Sequence, residues 1–173
     1  MPYAYYARLA SRQRATYRQS NETDAITLPA AVALRPLVDA LEAALATENR
    51  ARVERAAQAL AKDLLTSLGV RSVKVKVLSR RPSTSVSELH GLYELAEKRA
   101  PAVITVWMRT AAHKRVVAFR TFVRTLLHEL CHHLDYELFM LAETFHTEGF
   151  YKRESSLANA LLSAEDAHRD ALA

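Results

Sequence analysis

The stretch from Val116 to about Leu138 constrains this chain most, because it reads as one helix with two faces of opposite demand. Wound at about 100° per residue, it sets Phe119, Val123, Leu126, Leu127, Leu130 and Leu134 on one side and His128 and His132 on the other. The apolar side has to be buried, and the histidine side has to remain reachable by something that imidazoles bind. A fold open to this chain must therefore wrap one face of the helix and leave the other at a cleft.

His128 and His132 are four apart, hence about one turn, a separation at which both rings reach a single tetrahedral zinc ion. Glu129 sits about 100° round the helix, too far to share that position but close enough to touch a water held there. Two neutral nitrogens for the ion and one carboxylate for the proton are what metal-assisted hydrolysis needs. With seven His and thirteen Glu in 173 residues, His-Glu-x-x-His arises by chance about 0.02 times in such a chain.

A catalytic zinc takes at least one more protein ligand and leaves its fourth position open. Downstream stand His133, Asp135, Glu143, His146, Glu148 and Glu154. His133 projects about 140° away from His128. Asp135 is on the ligand face but two turns from His128, which suits a contact that orients His132 or a neighbouring amide. His146 is the expected third ligand: it follows a connection long enough to fold back, and Gly149 beside it permits a tight approach. Glu148 and Glu154 are the alternatives.

Three glycines (Gly69, Gly91, Gly149) exclude a glycine-rich phosphate loop, and with it kinases, P-loop enzymes and Rossmann dehydrogenases. A lone cysteine, Cys131, makes no internal disulfide and points to a reducing compartment. The first residues carry no basic-then-apolar leader, and no apolar run approaches the ~18 residues of a membrane span, so the expectation is a cytoplasmic protein without a membrane partner. Net charge is +5, unevenly spread: residues 71–124 hold twelve Lys/Arg against three Glu, and residues 129–173 hold three against nine Asp/Glu. The basic half is either a solvated surface or a nucleic-acid contact.

Around the motif, the pattern predicts a single α+β domain with helices, then strands, then helices. Residues 1–24 read as an Arg/Tyr-rich arm or short helix, and 25–69 as a helical region. Helices are expected over Pro29 to about Thr47 and Glu48 to Leu68, with Gly69 as a left-handed cap. A strand follows over Val70–Leu78, where valines alternate with Lys74 and Lys76. Residues 79–87 read as a loop, Leu89–Tyr93 as a short strand, Ala102–Arg109 as a more apolar one, and roughly Phe150–Leu162 as the last helix.

His128-Glu129-Leu130-x-His132, a third His after a short linker, and Phe150 four residues beyond it resemble the SprT-like group of zinc metallopeptidases and related small zincins such as the YgjP-like group. The resemblance covers roughly residues 70–160; the first 68 have no counterpart. It implies a zincin-like core over 70–173, made of a small mixed sheet, the active helix and a C-terminal helix, with the N-terminal helices over 25–69 preceding it in the same domain. It also implies Zn2+ as cofactor and hydrolysis of a peptide or protein substrate, with Glu129 as general base. In that group the strand before the active helix forms the edge of a small sheet against which a peptide can lie extended, and Leu92–Tyr93 and Val103–Met108 stand where that sheet is expected. The group includes DNA-linked proteases, which joins the basic half to a nucleic-acid partner as a further expectation. The chain differs from the group's pattern in doubling His132 with His133, in Asp135, in Thr147-Glu148-Gly149, and in lacking a cysteine-rich zinc module. A zinc hydrolase of a non-peptide bond, or a nucleic-acid-associated protein with a structural or latent zinc, are the competing classes.

The remaining residues each have a plain reading and a functional one. Cys131 is a small buried residue or reaches the metal. His133 is structural or supports an oxyanion, and Tyr151 packs the last helix or donates to a tetrahedral intermediate. His90 is a surface residue or a substrate contact. Arg153 and Glu154 form an ion pair or support the ligands, while Arg120 and Arg124 are solvated or bind an acidic substrate group.

Overall fold

The computed structural model describes residues 3–80, 82, 90–97, 100–110 and 115–170. A short 3-10 helix, Ala4–Arg8, leads into α1 (Ser11–Glu22), followed by α2 (Ala31–Ala46) and α3 (Arg50–Ser67). Three strands come next, β1 (Lys74–Leu78), β2 (Gly91–Glu94) and β3 (Val103–Trp107), and then α4 (Phe119–Glu137) and α5 (Glu148–Asp170). The class is α+β, with five α-helices and a small mixed sheet among the described residues. No described helix is long and apolar enough to cross a membrane.

α3 stops where Gly69 takes φ +68° and lets the Val70 amide donate to the Leu65 carbonyl at 2.9 Å, a closing bond that a side chain at that φ resists. The chain then enters β1, whose Val75 and Val77 are buried and whose Lys74 and Lys76 are exposed. β3, the strand before α4, is the middle strand and not the expected edge: it is buried from Ile104 to Trp107, with β1 parallel on one side and β2 antiparallel on the other. Gly91 of β2 lies opposite Val106, and Glu94 opposite Val103.

The two edges of this sheet are treated differently. α3 packs on β1 and closes its outer edge with side chains: Gln58 donates to the Val73 carbonyl and accepts from the Val75 amide. Glu54 accepts from the Val77 amide, and Arg50 donates to the Val77 carbonyl. A further strand cannot add there. Among the described residues no such side-chain bonds close the outer edge of β2.

α4 carries three His, three Thr or Cys and an Asp, all mediocre helix formers, each worth a few tenths of a kcal/mol less than Ala. Burial decides the outcome. Phe122, Val123, Leu126, Leu127, Leu130 and Leu134 are each at most 1% exposed, at about 2 kcal/mol apiece. They join one core that draws on α2, α3, the sheet and α5, and α4 itself packs on β2, β3 and α5.

Element bounds differ from the expected ones in instructive ways. Of the arm or short helix expected over the first 24 residues, the helix is found: α1 packs on α5 and buries Thr16, Tyr17 and Ser20. Its burial is made by hydroxyls and one aromatic, so no aliphatic stripe marks it. The last helix begins two residues earlier than expected, at Glu148, and runs on to Asp170. β1 starts at Lys74 and β3 ends at Trp107, because strand length follows ladder partners, and each has five. Leu89, expected to open the second strand, and most of the expected 79–87 loop lie outside the described residues.

Candidate metal centre and cleft

His128 and His132 leave α4 one turn apart, as their spacing dictates. His146 comes from the segment between α4 and α5. That segment turns back at Met140, which takes φ +52°, and the Leu141 amide caps the Asp135 carbonyl at 2.8 Å. The three rings meet through the same atom: His146 Nε2 is 3.0 Å from His128 Nε2 and 3.1 Å from His132 Nε2.

Their other ring nitrogens define the protonation. His128 Nδ1 donates to Glu154 Oε2 at 3.0 Å, and His132 Nδ1 donates to Thr144 Oγ1 at 2.8 Å, whose hydroxyl passes on to Asp135 Oδ2 at 2.7 Å. Both Nε2 atoms therefore present lone pairs toward His146. Burial and the two neighbouring rings pull His132 down to about 3, and His146 is lowered by burial and by His128, although Glu154 acts against this. Three imidazole nitrogens turned toward one point form a donor set that a single cation can bridge. Tetrahedral zinc with Zn–N of about 2.05 Å sets such nitrogens about 3.3 Å apart, within a few tenths of an ångström of the separations found. The donor set fits zinc.

Phe150, fully buried, forms a common floor, with its ring 5.0, 4.7 and 5.1 Å from those of His128, His132 and His146. Glu129 is 5% exposed beside this cluster. Burial raises its carboxyl to about 7, with Glu154 adding to the shift and His128 opposing it. β2 crosses directly over it: a Cβ on Gly91 lies 2.7 Å from Glu129 Cγ and 2.8 Å from Cδ. Only a residue without a side chain allows the strand this close to the carboxylate.

Behind His132 runs a buried chain of polar contacts. Arg153 donates to Asp135 Oδ1 at 2.7 Å, and both side chains are 0% exposed. Burial pushes the Asp135 carboxyl above its ordinary value, while Arg153 and Thr144 pull it back. Arg153 also donates to the Ser20 carbonyl, the Ser20 hydroxyl and the Thr23 carbonyl, and lies against the Phe139 and Phe150 rings. Ser20 Oγ meets Thr147 Oγ1 at 3.1 Å. The N-terminal helix is thus wired through Arg153, Asp135 and Thr144 to a candidate ligand.

The other singled-out residues fall as follows. His133 is buried away from the cluster, accepting from the Tyr93 hydroxyl at 3.0 Å and donating to the Arg71 carbonyl at 2.8 Å, so it ties β2 to the start of β1. Glu143 accepts from Gln13, and Glu148 pairs with Lys152 in solvent; neither reaches the three rings. Glu154 touches the far nitrogen of His128 and also accepts from Arg124 at 3.3 Å. Cys131 is wholly buried, which holds its thiol protonated. Tyr151 is stacked on the His146 ring at 5.8 Å and is not among the residues that line the cleft.

Thr144, Ser20, Tyr5 (whose hydroxyl donates to the His146 carbonyl at 3.3 Å) and the role of Gly91 went unread in the sequence. Only Thr144, two residues before His146, had a local signal. The cleft over the cluster measures about 800 Å³ and is lined by β2, by α4 from Thr121 to Tyr136, and by Thr144, His146 and Glu154. The chain matches no protein-family model, no curated protein and no solved structure.

Proposed function

We propose that this protein is a zincin-type zinc metallopeptidase of the reducing cytoplasm, with His128, His132 and His146 as ligands and Glu129 as general base. The observation that carries the reading is the convergence of three imidazoles, with His146 Nε2 within 3.1 Å of both His128 Nε2 and His132 Nε2, beside a buried carboxylate at the floor of an open cleft. Zinc supplies Lewis-acid polarisation of the scissile carbonyl and of the attacking water. The chain's own residues do the rest. β2 offers an extended substrate a strand edge that no side-chain bond closes among the described residues, the main-chain mode of peptide capture. Glu129, with a carboxyl near 7, takes a proton from the attacking water at a carboxylate oxygen and returns it to the leaving amine. Glu154 and Thr144–Asp135 fix the tautomers of His128 and His132 so that Nε2 carries the lone pair.

The direct test is elemental analysis of protein purified with zinc, paired with cleavage of denatured casein before and after chelation. One zinc per chain and chelator-sensitive cleavage are expected. Protein without zinc, or cleavage indifferent to chelation, rules the reading out.

The Gly91–Glu129 approach yields a second expectation. Gly91→Ala forces either the base or the edge strand to move, and a displacement near 1 Å at a reacting group costs about 10²-fold. The variant should keep its zinc and lose about that factor in kcat/KM. Unchanged kcat/KM on the same peptide contradicts the placement of Glu129.

A further inference from the structure

We propose that Arg124 is a specificity determinant of this cleft: it binds a carboxylate on the C-terminal side of the scissile bond, from an acidic side chain or from the substrate's own terminus. The inference rests on the peptidase reading above and gives it a substrate class. β2 runs beside α4 in the same sense, with Gly91 over Glu129 and Tyr93 beside His132, His133 and Tyr136. A peptide that adds to β2 in the more stable antiparallel ladder runs the opposite way. Its N-terminal part then lies toward Tyr93 and Tyr136, and its C-terminal part passes His90 toward Thr121, Arg124 and Thr125, all of which line the cleft.

The two ends differ in chemistry. Toward the first lie Leu92, Tyr93, Leu95 and Tyr136, apolar or aromatic; at the second, Arg124 is the one Lys or Arg among the described lining residues. Glu129 and Glu154, the acids of the lining, are both committed, the first beneath Gly91 and the second to His128. The Arg124 side chain is 49% exposed and is held from one side, by Glu154 Oε1 at 3.3 Å. That carboxylate is divided between Arg124 and His128, so it does not neutralise the guanidinium fully. A guanidinium carries five donors in a planar fork, and one anchored through a single nitrogen presents the rest to a second carboxylate. Because Glu154 also holds a ligand ring, the fork sits one or two residues' reach from the reacting centre. Thr121 and Thr125, short side chains on the same helix, leave room for the group to enter.

The test uses peptides identical up to the scissile bond and carrying Glu, Gln or Lys after it, each with a free or an amidated terminus. Binding to zinc-loaded Glu129→Gln protein is read by fluorescence anisotropy, and kcat and KM are measured with the unsubstituted enzyme. Glu-containing or free-terminus peptides should bind at least about tenfold tighter than the neutral amidated ones, the factor a charge-assisted hydrogen bond supports. The difference should appear in KM rather than kcat. Arg124→Gln should erase the ratio, Arg124→Lys keep part of it, and Arg124→Glu turn it toward Lys; each ratio is taken within one variant, so altered folding or zinc content cancels. The Glu/Gln and free/amidated pairs tell side chain from terminus. A ratio near one in the unsubstituted protein, or one that survives Arg124→Gln, overturns the role of Arg124 even where every peptide is cut. Carboxylate-dependent binding without any cleavage supports the Arg124 site and overturns the peptidase reading instead. No binding by any peptide overturns both.

Discussion

Glu129→Gln should bind one zinc per chain and lose about 10²–10⁴-fold in peptide hydrolysis, the range general-base catalysis contributes. Glutamine is nearly isosteric with glutamate, so the close packing beneath Gly91 survives the exchange. The side chain takes no part in the cluster of three Nε2 atoms, so metal content is not at issue. What disappears is an acceptor able to hold a proton between the attack of water and the departure of the amine. The check is elemental analysis and kcat/KM on one peptide from a single preparation. Loss of zinc together with activity assigns Glu129 a structural role, and retained turnover removes it from the chemistry. Glu129→Ala is the weaker experiment, since it opens a cavity under β2 as well as deleting the base.

How far the sequence could be read depended on the distance over which each contact acts. His128, Glu129 and His132 lie within one turn of one helix, and helical geometry alone places them. The alternation of Val73, Val75 and Val77 and the glycine that ends α3 are equally local signals, and the structure repeats them. His146 could be named as a candidate but not positioned. What holds it is remote: Tyr5 on its carbonyl, Tyr17 against Phe145, and Ser20 on Thr147, each more than 120 residues away along the chain. Hydroxyl pairs and aromatic edges leave no period in a sequence, which is also why the first 24 residues read only as an arm or short helix. Arg153 shows the sharpest form of this. At the start of a helix this arginine reads as an ion-pair partner or a support for the ligands, and only the fold reveals that Asp135, Ser20 and Thr23 are the groups that enclose it.

That enclosure makes Arg153 the residue with the largest expected effect on stability. Arg153→Met removes the cation and leaves Asp135 buried without its partner, a situation that costs about 3–5 kcal/mol, or roughly 6–20 °C in Tm for a chain of this size. Pairing it with Asp135→Leu removes the stranded charge as well, and well-packed apolar replacements of a buried ion pair are often neutral or better. Most of the lost stability should therefore return in the double variant. Zinc affinity should not return with it. Thr144 would have no carboxylate to accept its proton, and His132 would lose the hydrogen-bonded support behind Nδ1, a loss that typically costs about 10–100-fold in metal affinity. Thermal unfolding of the zinc-free forms, with zinc titration by a competing chelator, separates the two effects. Full recovery of zinc affinity in the stable double variant shows that the buried pair serves the fold alone. Recovery of stability without affinity shows that the chain from Ser20 through Arg153, Asp135 and Thr144 sets the ring of His132, and that the N-terminal helix belongs to the metal centre.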